Sequence, residues 1–290
     1  MKFLLLILHI SFVSLPYQLR AESIKDSRGR KVVLKKNARI ISGFVGADEI
    51  LFEILKDDRK RLLALSPLAK DERYSAIYKE ARSWSREFGA ELESLLALKP
   101  DLVIVASYSR PEWLKILDQA KISTYVLGEF ESVEDIRKNI LILGKLVGRE
   151  KRARELLADF DQDLGRLSKS CSKEKVRMMN FSENGIVYGK GTIFDSALKV
   201  LGLVNAASDS GIRGWAKVSR ENILVMNPDY LIVEGSLEEI PQRRKMMQSQ
   251  VGWKHLKAVR QGKLVAVPSR YLSSVSHHLI RAMEQICEQI

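Results

Sequence analysis

The feature that most constrains this chain is a segment it carries twice. Residues 94–105 read Ser-Leu-Leu-Ala-Leu-Lys-Pro-Asp-Leu-Val-Ile-Val, and residues 222–233 read Asn-Ile-Leu-Val-Met-Asn-Pro-Asp-Tyr-Leu-Ile-Val. Each copy predicts a short helix, a Pro-Asp turn and a strand. Ser94 and Asn222 stand where a helix would start, and a side-chain oxygen there can accept from otherwise unpaired amides. Pro100 and Pro228 stop the helix, because proline has no amide to donate and its ring collides with the preceding turn. Residues 102–105 and 231–233 are continuous apolar runs. Strands covered on both faces, as in a parallel sheet, read this way.

The surroundings of the two copies also correspond. Residues 39–41 predict a strand, residues 43–46 a loop and residues 48–55 a helix. In the second half, residues 176–181 predict a strand, followed by a glycine-containing loop to Gly191 and a helix over 194–201. Strands alternating with helices indicate an α/β lobe. Between the halves, Ser132 with Asp135 has the spacing of a reciprocal helix cap. Ile136, Ile140, Leu143 and Leu146 follow at helical spacing. After Gly148, residues 150–167 keep Ala153, Leu156, Phe160, Leu164 and Leu167 on one stripe. The fold class is therefore α/β: two similar α/β lobes, each with a mostly parallel sheet, joined by one long interdomain helix. The divisions are a signal peptide over 1–21, an N-terminal lobe over 22–147, a connecting helix over 148–170 and a C-terminal lobe over 171–290.

Composition narrows the function classes. The chain has 290 residues, enough for two domains, with 46% apolar and 29% charged residues, a globular balance. Lys2 followed by an apolar run to Leu15 and then Pro16 predicts a secretory signal, too short to span a bilayer, which needs roughly 20 residues. No cysteine follows the run, so lipid attachment there is not expected, and the mature protein is placed in the periplasm. The formal charge is +12; removing residues 1–21 takes away Lys2 and Arg20 and no acid, leaving +10. That excess suits an anionic ligand or surface. The basic residues are scattered among acids rather than gathered with aromatics, which argues against a nucleic-acid partner. Export permits a disulfide between Cys171 and Cys287, but spacing does not establish one, and a buried Cys287 thiol on an apolar helix face fits equally well.

The doubled unit around Pro100 and Pro228, the long connecting helix and the export signal resemble the substrate-binding proteins of iron-chelate, haem and cobalamin ABC importers. Residues 39–55 (RIISGFVGADEILFEIL), 217–222 (KVSREN) and 251–268 (VGWKHLKAVRQGKLVAVP) resemble that family's first strand and helix, the entry to its second-lobe helix and the approach to its last strand. The resemblance covers nearly all of the mature chain. It implies a monomeric, bilobal protein that holds a metal-chelate ligand between its lobes and hands it to a permease with its ATPase. It implies small opening motions, because the connecting helix limits the hinge. Cobalamin binders of this type carry further tryptophans, near Ala106 or Ser107 and near Leu127, which this chain lacks. Haem binders often carry a tyrosine near Trp84, also lacking here. The family's cysteine near the end is matched by Cys287, but its usual partner position falls near Leu201.

Strand ends nominate the ligand-binding residues, since ligands of open parallel sheets sit beyond the carboxyl ends of the strands. From the first lobe these are Trp84, Arg86, Tyr108 and Arg110; from the second, Tyr188, Arg213, Trp215, Arg270, Tyr271 and His277. Aromatic faces pack on planar chelates, and arginines make two-point contacts with anionic oxygens. Phe44 and Phe130 are expected to close the core. His277 and His278 are adjacent and on a helix would point about 100° apart. One of them is a candidate axial ligand to haem iron, against a helix-start histidine open to solvent, which is the preferred reading. The resemblance implies one docking glutamate per lobe: Glu112 after the first repeat, Glu238 or Glu239 after the second. No resident metal, cofactor or catalytic set is legible. Gly189 and Gly191 lack the rest of a phosphate-loop pattern, and no Ser/His/Asp or Cys/His arrangement stands out. A periplasmic enzyme or ligand sensor on the same fold is the alternative.

Overall fold

The computed structural model describes residues 22–89, 97–171, 175–182, 184–250 and 252–290. The region expected to be a signal peptide and the first repeat helix around Ser94 lie outside these residues.

The strands are β1 (Ser23–Lys25), β2 (Lys31–Val33), β3 (Ile40–Ser42), β4 (Leu62–Ala64), β5 (Leu102–Ala106) and β6 (Thr124–Leu127) in the first half. In the second half they are β7 (Arg177–Phe181), β8 (Ile186–Tyr188), β9 (Val204–Asn205), β10 (Trp215–Lys217), β11 (Tyr230–Glu234) and β12 (Leu264–Val267). Two four-stranded sheets form, in the orders β4-β3-β5-β6 and β12-β11-β7-β9. Every pairing within them is parallel. The repeat supplies a central strand of each sheet, β5 and β11, and β5 is buried along its whole length. A β1-β2 hairpin and an antiparallel pair formed by β8 and β10 stand outside the sheets.

The structure explains why the Pro-Asp pair recurs. Lys99 and Asn227, the residues before the two prolines, both take positive φ, 50° and 41°. That turn swings each aspartate onto the start of the neighbouring strand: Arg39, just before β3, and Arg177, the first residue of β7. Asp101 donates its amide to the Arg39 carbonyl and accepts the Arg39 amide on its carboxylate, both at 2.8 Å. Asp229 does the same with Arg177, at 2.8 and 3.1 Å. A lysine completes each clamp, Lys35 on Asp101 and Lys257 on Asp229. Both carboxyls are held below the usual aspartate range: against the opposing effect of burial, the lysine and backbone hydrogen bonds favour the charged form. Asn222 does not begin the second repeat helix. The helix is Arg220–Met226, and Ser219 caps it by accepting from the otherwise unpaired Asn222 amide.

Ser132 and Asp135 form the reciprocal cap expected of them, at the start of the Val133–Leu146 helix. The connecting helix runs Glu150–Ser170, 21 residues and about 32 Å at 1.5 Å per residue. Its stripe of Ala153, Leu156, Phe160, Leu164 and Leu167 enters a single apolar core that continues into both lobes. Cys171 and Cys287 are joined in a disulfide. The free thiol considered for Cys287 is therefore not present, and its partner lies at the end of the connecting helix rather than near Leu201. The bond pins the Leu279–Glu288 helix to the connecting helix, beside an Arg166–Glu284 ion pair.

Candidate functional site: the cleft between the lobes

A cleft of about 870 Å³ opens between the lobes, bounded by loops that leave the carboxyl ends of the strands. This is where open parallel sheets present ligand-binding loops. In the first lobe, β3 leads through Gly43 and Phe44 into the Val45–Ile54 helix, and β5 leads through residues 107–110 into the Pro111–Gln119 helix. In the second, β12 leads into residues 269–275, and the paired strands β8 and β10 carry Trp215.

Among the described residues, the exposed aromatics gather in the cleft: Tyr108 is 66% exposed, Trp215 59% and Tyr74 48%, and all three line it together with Leu68. Phe44, Phe130 and Tyr108 form an edge-to-face cluster with centroids 5.2–6.3 Å apart. Phe44 and Phe130 thus do both jobs: they belong to or pack on the core and also line the cleft. Trp215 rests on Tyr188 at 4.1 Å. Tyr188 itself does not line the cleft; it is buried and donates to Glu234 at 3.1 Å. Its role is to back Trp215.

Two arginines line the cleft, one from each lobe. Arg110 is exposed and lies over Trp113, 5.3 Å from the ring centre. Arg270 lies between Tyr78 and Tyr271, donates to the Glu72 carbonyl at 3.1 Å and approaches the Glu72 carboxylate at 3.6 Å. Its Nε is buried with no hydrogen-bond partner.

Six nominated ligand residues, Tyr188 among them, do not line the cleft. Trp84 packs on Phe52 and donates its indole N–H to the Leu62 carbonyl at 2.9 Å; a half-buried indole satisfies that donor against the nearest strand. Arg86 and Arg213 are exposed elsewhere. Tyr271 packs on the core. His277 is largely buried with Nδ1 unpartnered, and its ring lies 4.1 Å from that of His278. Neither histidine is the solvent-open residue expected at a helix start. Burial pushes their pKa values down to about 3 and about 4, so both are neutral near pH 7.

Trp113, Tyr74 and Glu49 line the cleft without having been nominated. Trp113 sits three residues after Arg110 in the first turn of its helix, and Tyr74 lies in the polar run 71–75, the same kind of context that flagged Trp84. Glu49 had no such signal. It is fully buried, beside Asp48, and burial pushes both carboxyls up to about 7 against the hydrogen bonds they accept. Among the described residues no three of His, Cys, Asp or Glu gather as a metal cluster, and no helix is long and apolar enough to cross a membrane.

Comparison with known proteins agrees with the bilobal fold. The periplasmic binding protein family model matches residues 44–271. An uncharacterised ABC transporter substrate-binding lipoprotein of Bacillus subtilis is 25% identical over 279 residues, 92% of this chain and 85% of its own. The vitamin B12-binding protein of Pectobacterium carotovorum is 25% identical over 237 residues, 80% of this chain and 81% of its own. A possible iron-binding, periplasmic solute-binding protein from Staphylococcus epidermidis superposes with a TM-score of 0.74 at 24% identity, over 88% of this chain and 99% of that one. These relatives are substrate-binding proteins rather than enzymes, as the sequence leads one to expect, and the family works outside the cytoplasm. By the extent of the match and the bilobal fold, the chain belongs to the periplasmic binding protein family.

Proposed function

We propose that this protein captures an anionic metal chelate, a ferric siderophore first among them, in the interlobe cleft and delivers it to an ABC permease. The observation that carries the reading is the placement of Arg110 and Arg270 on opposite walls of one aromatic cleft. A ligand with carboxylate or catecholate oxygens at its edges can engage both cations while its rings pack on Tyr108, Trp113 and Trp215. The chain's basic excess draws such ligands from solution. The relative that binds vitamin B12 supports a chelate-sized cargo, while the absence of tryptophan near Ala106 and Leu127 favours a cargo other than cobalamin. The mature protein is expected to act in the periplasm after export.

Trp215 and Trp113 make binding visible. Titrating mature protein with ferric tris-catecholate, ferric tris-hydroxamate, haemin and cobalamin, we expect the tris-catecholate to quench tryptophan fluorescence at micromolar concentration or below. No response to any of the four would refute the chelate reading.

Delivery needs surfaces on both lobes. Glu112 opens the Pro111–Gln119 helix after β5, and Glu238 and Glu239 follow β11 just before the Ile240–Ser249 helix. All three are exposed, and they occupy corresponding places in the two halves of the repeat. Glu112→Arg combined with Glu239→Arg is expected to abolish chelate uptake in cells and to leave the chelate affinity of the purified protein within about twofold, because charges on the outer rim act on partner docking. Loss of binding in the pure protein would place these acids in the ligand site instead.

A further inference from the structure

Glu49 spans the two lobes. It sits in the first turns of the Val45–Ile54 helix, and Oε1 accepts from the Ala76 amide of its own lobe at 2.7 Å. Oε2 accepts from the Ser276 hydroxyl and lies 3.4 Å from the Ser274 hydroxyl, both in the second lobe. The lobes touch at the same place: a Cβ on Gly46 would come within 2.6 Å of the Val275 side chain. Only glycine lets the helix start approach the 273–276 segment so closely. The segment reads Ser-Ser-Val-Ser, and Ser273, Ser274 and Val275 line the cleft together with Glu49.

We propose that Glu49 is a proton-sensitive latch between the lobes, whose carboxyl pins the Val45–Ile54 helix to residues 273–276 and whose ionisation favours opening of the cleft. In the closed seam the group is fully buried, and burial pushes its pKa from 4.5 up to about 7. Opening the seam admits water, which returns the carboxyl toward its ordinary value. The closed state therefore binds the proton more tightly. Closure gains fully from this below about pH 4.5 and loses the gain as pH rises through about 7.

The other charged groups near the seam do not replace Glu49 in this role. Asp48 adjoins it on the same helix and titrates in the same range, but it is bonded to Ser66 of its own lobe. Glu72 is matched by Arg270 across the cleft mouth. His277 and His278 follow Ser276 and are neutral above about pH 5. Glu80 and Arg281 face His278 with opposite effects on its charge. Tyr108, near Asp48, is a phenol that stays protonated throughout.

The test needs no ligand, so its failure is distinct from failure of the chelate reading. Spin labels on Lys115→Cys and Lys245→Cys, exposed sites on helices of opposite lobes, report interlobe distance in the mature protein with the Cys171–Cys287 disulfide intact. Between pH 5.5 and 8.5 the open-to-closed ratio is expected to rise roughly thirtyfold, the size set by one carboxyl shifted from 4.5 to about 7. Glu49→Gln flattens that dependence, and Asp48→Asn leaves it in place. Ser276→Ala, which weakens the latch from the other lobe, raises the open fraction at pH 8.5. A wild-type distance distribution that does not change with pH overturns the proposal. So does an unchanged pH dependence in Glu49→Gln, or a Ser276→Ala distribution matching wild type.

Discussion

Replacing Arg110 and Arg270 together by alanine is expected to weaken binding of an anionic ferric tris-catecholate by two to four orders of magnitude. The two side chains reach the cleft from different lobes. A hydrogen bond to a charged group is worth about 1.5–3 kcal/mol, and contributions from well-separated sites add, giving about 3–6 kcal/mol for the pair. Arg270→Ala also removes the tie to Glu72, so its single effect should be smaller than that of Arg110→Ala, whose guanidinium carries no acidic partner among the described residues. Arg110→Lys should recover only part of the affinity, because an ammonium cannot reproduce a planar two-point contact. Calorimetric titration of the wild type, both single variants and the double variant at two salt concentrations measures this. A double variant within threefold of wild type would show that the cleft recognises its cargo by aromatic packing alone.

The lobes were legible in the sequence because backbone rules act locally. Proline, aspartate and a run of branched apolar residues specify a turn and a covered strand wherever they occur, and the chain states them twice. The same locality made the Ser132–Asp135 cap and the stripe on the connecting helix readable. The cleft was less legible because its walls are assembled from distant segments. Trp84 and Trp215 both lie in polar loops, yet one packs inward on Phe52 and the other faces the cleft. What separates them is the partner each ring finds: Leu62 of β4 offers a carbonyl to the Trp84 indole, whereas the β8-β10 pairing sets Trp215 against Tyr188. Glu49 was illegible for a related reason. Its hydroxyl partner lies 227 residues away in the chain, and a glutamate near the start of a helix is unremarkable in sequence.

Removing the Cys171–Cys287 disulfide should cost a large share of the protein's stability. The bond closes a loop of 116 residues. In the chain-entropy account, a loop of that size restricts the unfolded ensemble by about 4–5 kcal/mol. The folded state spends little to keep it, because the two helices it joins already pack together and are tied by Arg166 and Glu284. Cys171→Ala with Cys287→Ala is therefore expected to lower the unfolding free energy by about 4 kcal/mol and the melting temperature by roughly 10 °C, with the cleft and its ligand affinity unchanged. Urea unfolding of the variant, and of wild type with and without reductant, separates the loop effect from any loss of packing at the substituted sites. If reduced wild type and the variant agree, the loss belongs to the cross-link itself. If neither loses more than about 1 kcal/mol, the connecting helix already confines the unfolded chain, and the disulfide serves the fixed position of the Leu279–Glu288 helix. The bond is also suited to where the family works, since an oxidising compartment keeps it formed, and it ties the last helix to the element on which both lobes are built.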